Sequence, residues 1–163
     1  MLHDLQVLCF DLDDTFWDVR RVLERAEHRV AAFLAQRYPR LAQRYTRADL
    51  LAARQRLAAA EPALAHDMTW LRTETMRRLA VAEGYPDAAG AEAFEVFIVA
   101  RNEVELFPDV RPALERLADR FRLATLSNGN ADLHRIGLAP LFAAMLNAAS
   151  VGVAKPHPEA FAA

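Results

Sequence analysis

The chain has 163 residues, 53% of them hydrophobic, which suffices for one compact core carrying an inserted subdomain but is short for two independent domains. Its 20 Lys and Arg nearly cancel its 22 Asp and Glu, so no strong field selects nucleic acid or an anionic membrane surface as a partner. A single cysteine, Cys9, excludes an internal disulfide or a Cys-based zinc site; no apolar run approaches bilayer-spanning length, and Met1-Leu2-His3-Asp4 lacks the start of a secretory signal, so the expected location is the cytoplasm.

Val7-Leu8-Cys9-Phe10 is a short apolar, β-rich run that ends abruptly in carboxylates, as a buried parallel strand does at the mouth of a sheet. Cys9 within it reads as a small buried strand residue and not as a reactive thiol. From Asp18 to Glu105 the spacing turns helical and rich in Ala, Leu, Arg and Glu. A first helix puts Val19, Val22, Leu23, Val30, Phe33 and Leu34 near one face and stops around Tyr38-Pro39, because a residue before proline avoids helical angles. A second starts at Thr46 as N-cap, a third is announced by Asp67 and closed by Gly84, and a fourth covers Ala88 to Val104. The expectation is a small four-helix bundle.

After Phe107-Pro108-Asp109-Val110 the pattern predicts a helix through Leu114 and Leu117, then the strand Arg122-Leu123-Ala124-Thr125-Leu126, ending at Ser127-Asn128-Gly129-Asn130. A short helical stretch through Leu133, Ile136 and Leu138 leads to a weaker strand, Met145-Leu146-Asn147-Ala148-Ala149, and then to Gly152-Val153-Ala154-Lys155-Pro156. Strands alternating with helices argue for a parallel, Rossmann-like three-layer α/β core over residues 1–17 and 106–163, with residues 18–105 inserted as a helical unit.

The chemistry starts at Asp11 and Asp13. Residues two apart on an extended backbone point the same way, so both carboxylates can face one pocket while Leu12 turns into the core. One can attack while the other moves protons. A carboxylate attacking a phosphate is anion meeting anion, which calls for a hard cation between them, and Mg2+ held by one or two carboxylates plus the substrate's phosphate fits. Alone, an Asp-x-Asp after a strand also fits an acidic turn. Ser127, Asn128 and Gly129 would bring a hydroxyl and backbone N–H groups to the same strand-end edge, where open α/β sheets bind ligands. Lys155, fixed before Pro156, could pair with both nucleophile and phosphoryl oxygens.

Phe10-Asp11-Leu12-Asp13-Asp14-Thr15, the strand ending in Ser127 and the lysine of Val153-Ala154-Lys155-Pro156 resemble motifs one, two and three of the haloacid dehalogenase-like superfamily. The helical insertion resembles that superfamily's C1-type cap, which closes over the pocket and selects the substrate. The resemblance implies a phosphatase for small phosphomonoesters, with Asp11 as phosphoaspartyl nucleophile and Asp13 as acid and then base. Ser127, Asn128 and Lys155 would bind phosphate, Mg2+ would sit on the Asp11 carboxylate and the Asp13 backbone carbonyl, and the Thr15 hydroxyl would brace the loop. The superfamily's dehalogenases generally lack an acid at the position of Asp13. A leaving alkoxide needs its proton and a departing halide does not, so phosphoryl transfer is favoured over the alternative, 2-haloacid dehalogenation.

Ala60-Glu61-Pro62, His66-Asp67-Met68-Thr69 and Thr125 to Ala131 further resemble bacterial phosphatases that act on 5-amino-6-(5-phosphoribitylamino)uracil, which implies sugar-phosphate or nucleotide-like substrates and makes His66, Asp67 and Trp70 the substrate-contacting candidates of the insertion. Asp67 also fits a helix N-cap and Trp70 a packing residue, while His134 and His157 read as surface or packing groups. The family pattern continues past the lysine to a strand with further acids, whereas eight residues follow Lys155, Glu159 the one acid among them. The expectation is therefore an incomplete sheet whose first strand is an open edge, able to self-associate, in a chain that is either a catalytically weak form or a non-catalytic binding module.

Overall fold

The computed structural model describes residues 5–162, so the Met1-Leu2-His3-Asp4 start lies outside it. The chain divides into two compact units: the stretches up to Arg21 and from Asn102 onward form one, and Val22–Arg101 forms the other.

The first unit is built on three parallel strands, β1 (Val7–Phe10), β2 (Arg122–Ser127) and β3 (Ala144–Asn147), in the order β1-β2-β3. Phe10 pairs with Thr125 and Ser127 with Asn147, so β2 and β3 end level, while β1 stops two residues short of the end of β2 and Asp11 follows directly after it. Among the described residues β1 is a sheet edge, as expected, and it corrects the reading of Cys9. That residue is exposed, and Val7 is 50% exposed, because no further strand covers them. Partial desolvation of the sulfur still pushes the Cys9 thiol up, against the pull of the Lys155 ammonium, so it is no activated thiolate.

Leu12, Phe16 and Trp17 turn inward from the loop after β1 and are almost wholly buried. Phe16 packs against Phe10 and Phe142, at centroid separations of 5.7 and 6.2 Å, which ties the loop to the sheet and to the segment before β3. The third strand is shorter than the sequence suggests. Asn147 accepts from Ser150 N while Ser150 Oγ accepts from Asn147 N, a reciprocal cap that turns Ala148 and Ala149 into a helix.

The inserted unit contains most of α1 (Val19–Arg37), then α2 (Pro39–Arg44), α3 (Arg47–Ala60), α4 (Met68–Ala82) and α5 (Ala89–Arg101). There are thus five helices where four were expected. Pro39 ends α1 and, since a proline fits the first turn of a helix, immediately opens α2. Thr46 caps α3 through a reciprocal pair with Asp49, and Gly84, at φ +73°, closes α4 in a conformation that a glycine adopts without strain. A Cβ on Gly90 would stand 2.6 Å from the Thr73 carbonyl, so α5 crosses α4 where only glycine fits. Leu34, Tyr38, Leu41, Met76, Ala80 and Ala93 close one core of this unit. The rest of the first unit follows with α6 (Val110–Ala118), α7 (Leu133–Ile136) and α8 (Ala148–Val151). No helix among the described residues is long and apolar enough to cross a membrane.

Candidate active site

The parallel strands direct the motif residues of the first unit to one edge of the sheet. Lys155 Nζ lies 3.0 Å from Asp11 Oδ1, which also accepts from Leu12 N at 2.8 Å. Both donors hold the same oxygen, and among the described residues Oδ2 has no partner, so one lobe of the carboxylate is anchored and the other faces outward. The lysine side chain is 20% exposed against 46% for Asp11, so its charge is applied from a more sheltered position.

Asp13 is held by a residue outside the quoted motif. Trp17 Nε1 donates to Asp13 Oδ1 at 2.8 Å, and the indole is fully buried. Asp14, the next acid, adopts φ +59°, a left-handed conformation that Asp tolerates better than most residues. This lets Asp14 N donate to Trp17 O while Asp14 Oδ1 accepts from Val19 N at 3.0 Å, so the turn closes and α1 is tethered at its first residue. The bracing expected of the Thr15 hydroxyl is thus supplied by the Asp14 carboxylate. The four-residue spacing of Asp13 and Trp17 was the available signal for the indole contact.

Ser127 ends β2 and is 2% exposed. Its Oγ accepts from Gly129 N at 3.0 Å and still carries a hydrogen to donate. Asn128, expected at the phosphate, uses both ends of its amide on one neighbour: Nδ2 donates to Lys155 O at 2.9 Å, keeping its second N–H, and Oδ1 accepts from Lys155 N at 2.8 Å. In this geometry it positions the lysine by clamping the backbone of a segment 27 residues away. A similar tether, Asp132 N to Asn102 Oδ1 at 2.7 Å, fixes the stretch after the Ser127 turn.

The remaining candidates are placed more plainly. Asp67 Oδ1 accepts from Thr69 N and Trp70 N, both at 2.9 Å, so this carboxylate caps α4; His66 and Trp70 are half-buried within the inserted unit. His157 is exposed and its Nδ1 accepts from Glu159 N, which opens the short terminal turn Pro158–Phe161. His134 is exposed as well. Among the described residues no three His, Cys, Asp or Glu side chains converge as a metal cluster.

The haloacid dehalogenase-like hydrolase profile matches residues 5–163. The chain is 30% identical, over 98% of its own length and 68% of the relative's, to the 5-amino-6-(5-phospho-D-ribitylamino)uracil phosphatase YigB of Escherichia coli K12. Among solved structures it matches a 2-haloacid dehalogenase of Pseudomonas syringae pv. Tomato DC3000 with a TM-score of 0.91 and 36% identity, covering 97% of this chain and 70% of that one. The hydrolase YfnB of Bacillus subtilis, solved with magnesium, shares the fold with a TM-score of 0.63 at 23% identity, over 97% of this chain and 71% of its own. A match across nearly the whole described chain, with the three motifs gathered at one strand-end edge, makes this protein a member of the haloacid dehalogenase-like hydrolase family.

Proposed function

We propose that the protein hydrolyses small phosphomonoesters, of the sugar-phosphate or nucleotide-like class, through a covalent intermediate on Asp11. The observation that carries this reading is the pairing of Lys155 Nζ with Asp11 Oδ1 at 3.0 Å beside a second acid, Asp13, held by a buried indole. Asp11 Oδ2 attacks phosphorus, the bond to the ester oxygen breaks, and Asp13 gives that oxygen its proton. Water then attacks the same phosphorus, Asp13 takes the water's proton, and phosphate leaves as the Asp11 carboxylate is restored. Lys155 and the Ser127 hydroxyl neutralise and orient the phosphoryl oxygens, and Asn128 keeps the lysine in reach.

The donor set fits Mg2+ better than a softer metal. It offers the Asp11 carboxylate and the Asp13 backbone carbonyl, both hard oxygens, which suit an ion that keeps waters and takes further ligands from the substrate. Bound there, the ion would supply charge neutralisation between the Asp11 carboxylate and the phosphate.

A second reading, 2-haloacid dehalogenase, is favoured by the 36% identity to the Pseudomonas protein of that name. In it Asp11 would displace halide from carbon, and Asp13 would have no leaving group to protonate. Phosphate release from a panel of monoesters, and chloride release from 2-chloropropionate, should be followed with and without Mg2+, for wild type and for Asp11→Asn. Metal-dependent phosphate release that falls at least ~10³-fold in Asp11→Asn supports the first reading. Chloride release without phosphate release would replace it with the second, and an Asp11→Asn variant as active as wild type would sink both.

A further inference from the structure

The inserted unit holds a cavity of about 310 Å³ lined entirely by its own residues, from all five of its helices and from Tyr45. That volume is at the lower end of small-molecule pockets. Its charged lining is one cluster around Glu27, which pairs with Arg47 and stands 3.6 Å from Arg54 Nη2 and 3.8 Å from Arg72 Nη2. Arg47 is largely exposed, but the side chains of Arg54, Arg72 and Glu27 are only 15, 12 and 16% exposed. Two sheltered guanidiniums therefore share one sheltered carboxylate. Burial, reinforced by the Arg54 charge, pushes Arg72 down to about 9, so it remains a cation at neutral pH. The Arg72 guanidinium also lies 3.7 Å over the centroid of Phe97, which fixes its plane.

One turn along α4 from Arg72, Thr75 lines the same cavity. It is 5% exposed, and its hydroxyl oxygen is buried without a hydrogen-bond partner. A buried hydroxyl is normally satisfied, so an unsatisfied one beside two cations that share a single anion points to a missing acceptor. Apart from Tyr45, whose hydroxyl donates to Glu83, the rest of the lining is apolar.

We infer that the helical insertion binds a small monocarboxylate with an apolar body, its head meeting Arg54, Arg72 and the Thr75 hydroxyl and its body lying against Val30, Leu34, Met76 and Phe94. The lining carries more positive than negative charge, which suits an anionic head, whereas a phosphate would leave oxygens against hydrocarbon. A planar two-oxygen head also suits two guanidinium ends. This site needs nothing from Asp11.

The test is calorimetric titration of the full chain with phenylacetate, its neutral amide and inorganic phosphate. Phenylacetate should bind one to one, the amide at least about tenfold more weakly, and phosphate should not compete. Ala35→Leu, which adds bulk at the exposed rim of the cavity, should weaken binding. Thr75→Val should weaken it several-fold without lowering the melting temperature, and Asp11→Asn should leave it intact. Equal binding of acid and amide, no binding of either, or binding that is lost in Asp11→Asn but kept in Ala35→Leu would overturn the inference. Should either cavity variant fail to fold, the acid-against-amide comparison on wild type together with Asp11→Asn still decides.

Discussion

The two units handle buried polarity in opposite ways. In the first, the key side chains are fixed by specific, short contacts: the indole of Trp17 on Asp13, the Leu12 N–H and Lys155 on Asp11, the amide of Asn128 on the backbone of Lys155. In the second, Arg54 and Arg72 share Glu27 at ion-pair distances, and the Thr75 hydroxyl next to them goes unsatisfied. The first arrangement holds its acids and lysine in place while leaving Asp11 Oδ2 and the Ser127 hydroxyl hydrogen open, and reads as preorganised chemistry. The second is under-compensated and reads as a place where something binds.

Removing the acid proposed at Asp13 should break the first arrangement most severely. Asp13→Asn keeps the shape and an acceptor for Trp17 Nε1, so the loop after β1 should stay folded. Monoester turnover should nonetheless fall by ~10²–10⁴-fold, with the largest loss for poor leaving groups that most need a proton. Equal losses for activated aryl phosphates and alkyl phosphates would argue against Asp13 as the acid.

In the second unit the corresponding cut is Glu27→Gln. It leaves Arg54 and Arg72 sheltered without their shared anion, and the cost of such an uncompensated pair is about 3 kcal/mol. Thermal unfolding should register it as a drop of roughly 6–12 °C. A monocarboxylate in the cavity should restore part of that loss, which would show that the under-compensation is what the ligand answers.

A gentler probe asks whether Asn128 positions the lysine or touches phosphate itself. Asn128→Ala removes both bonds to the Lys155 backbone, which lets Nζ wander, and should cost about tenfold in kcat/KM. Asn128→Asp keeps an acceptor for Lys155 N and places a negative charge nearby. A positioning residue should recover part of the loss in that variant, whereas a phosphate ligand should be made worse.

How much of this was legible follows from the range over which each contact acts. Asp11, Asp13, Ser127 and Lys155 sit at or just beyond the ends of recognisable segments, so alternation and strand-end logic bring them together. Cys9 was misplaced because an apolar run reads as buried wherever it occurs, while burial of β1 depends on what lies beside it in the sheet. The contact of Asn128 with the Lys155 backbone was missed because nothing local shows that its amide reaches 27 residues on. The cavity went unnoticed because its polar residues come from three helices and, in Arg-rich helices, look like solvated surface. A signal existed: Glu27 stands in register with Val30, Ala31 and Leu34, and Arg72 with Thr75 and Met76, so each charge interrupts an apolar face.

The smallest effect concerns a contact that resembles the first unit's style but sits in the second. Glu74 accepts from Arg77 Nε and Nη2 at 2.6 and 2.7 Å and from Arg78 Nε at 2.7 Å, and these guanidiniums, Arg77 foremost, hold its carboxyl down at about 2. A carboxyl depressed in the folded state contributes stability above its unfolded value of ~4.3, and that contribution fades as pH falls through the folded value. Both arginines are well exposed, so the network is worth only about 0.5 kcal/mol, a shift of about 1–2 °C at neutral pH. Glu74→Gln should therefore melt slightly below wild type at pH 7, and the two curves should converge between pH ~4.3 and about 2. A gap that persists unchanged at pH 2 would mean that Glu74 acts through packing and not through its charge.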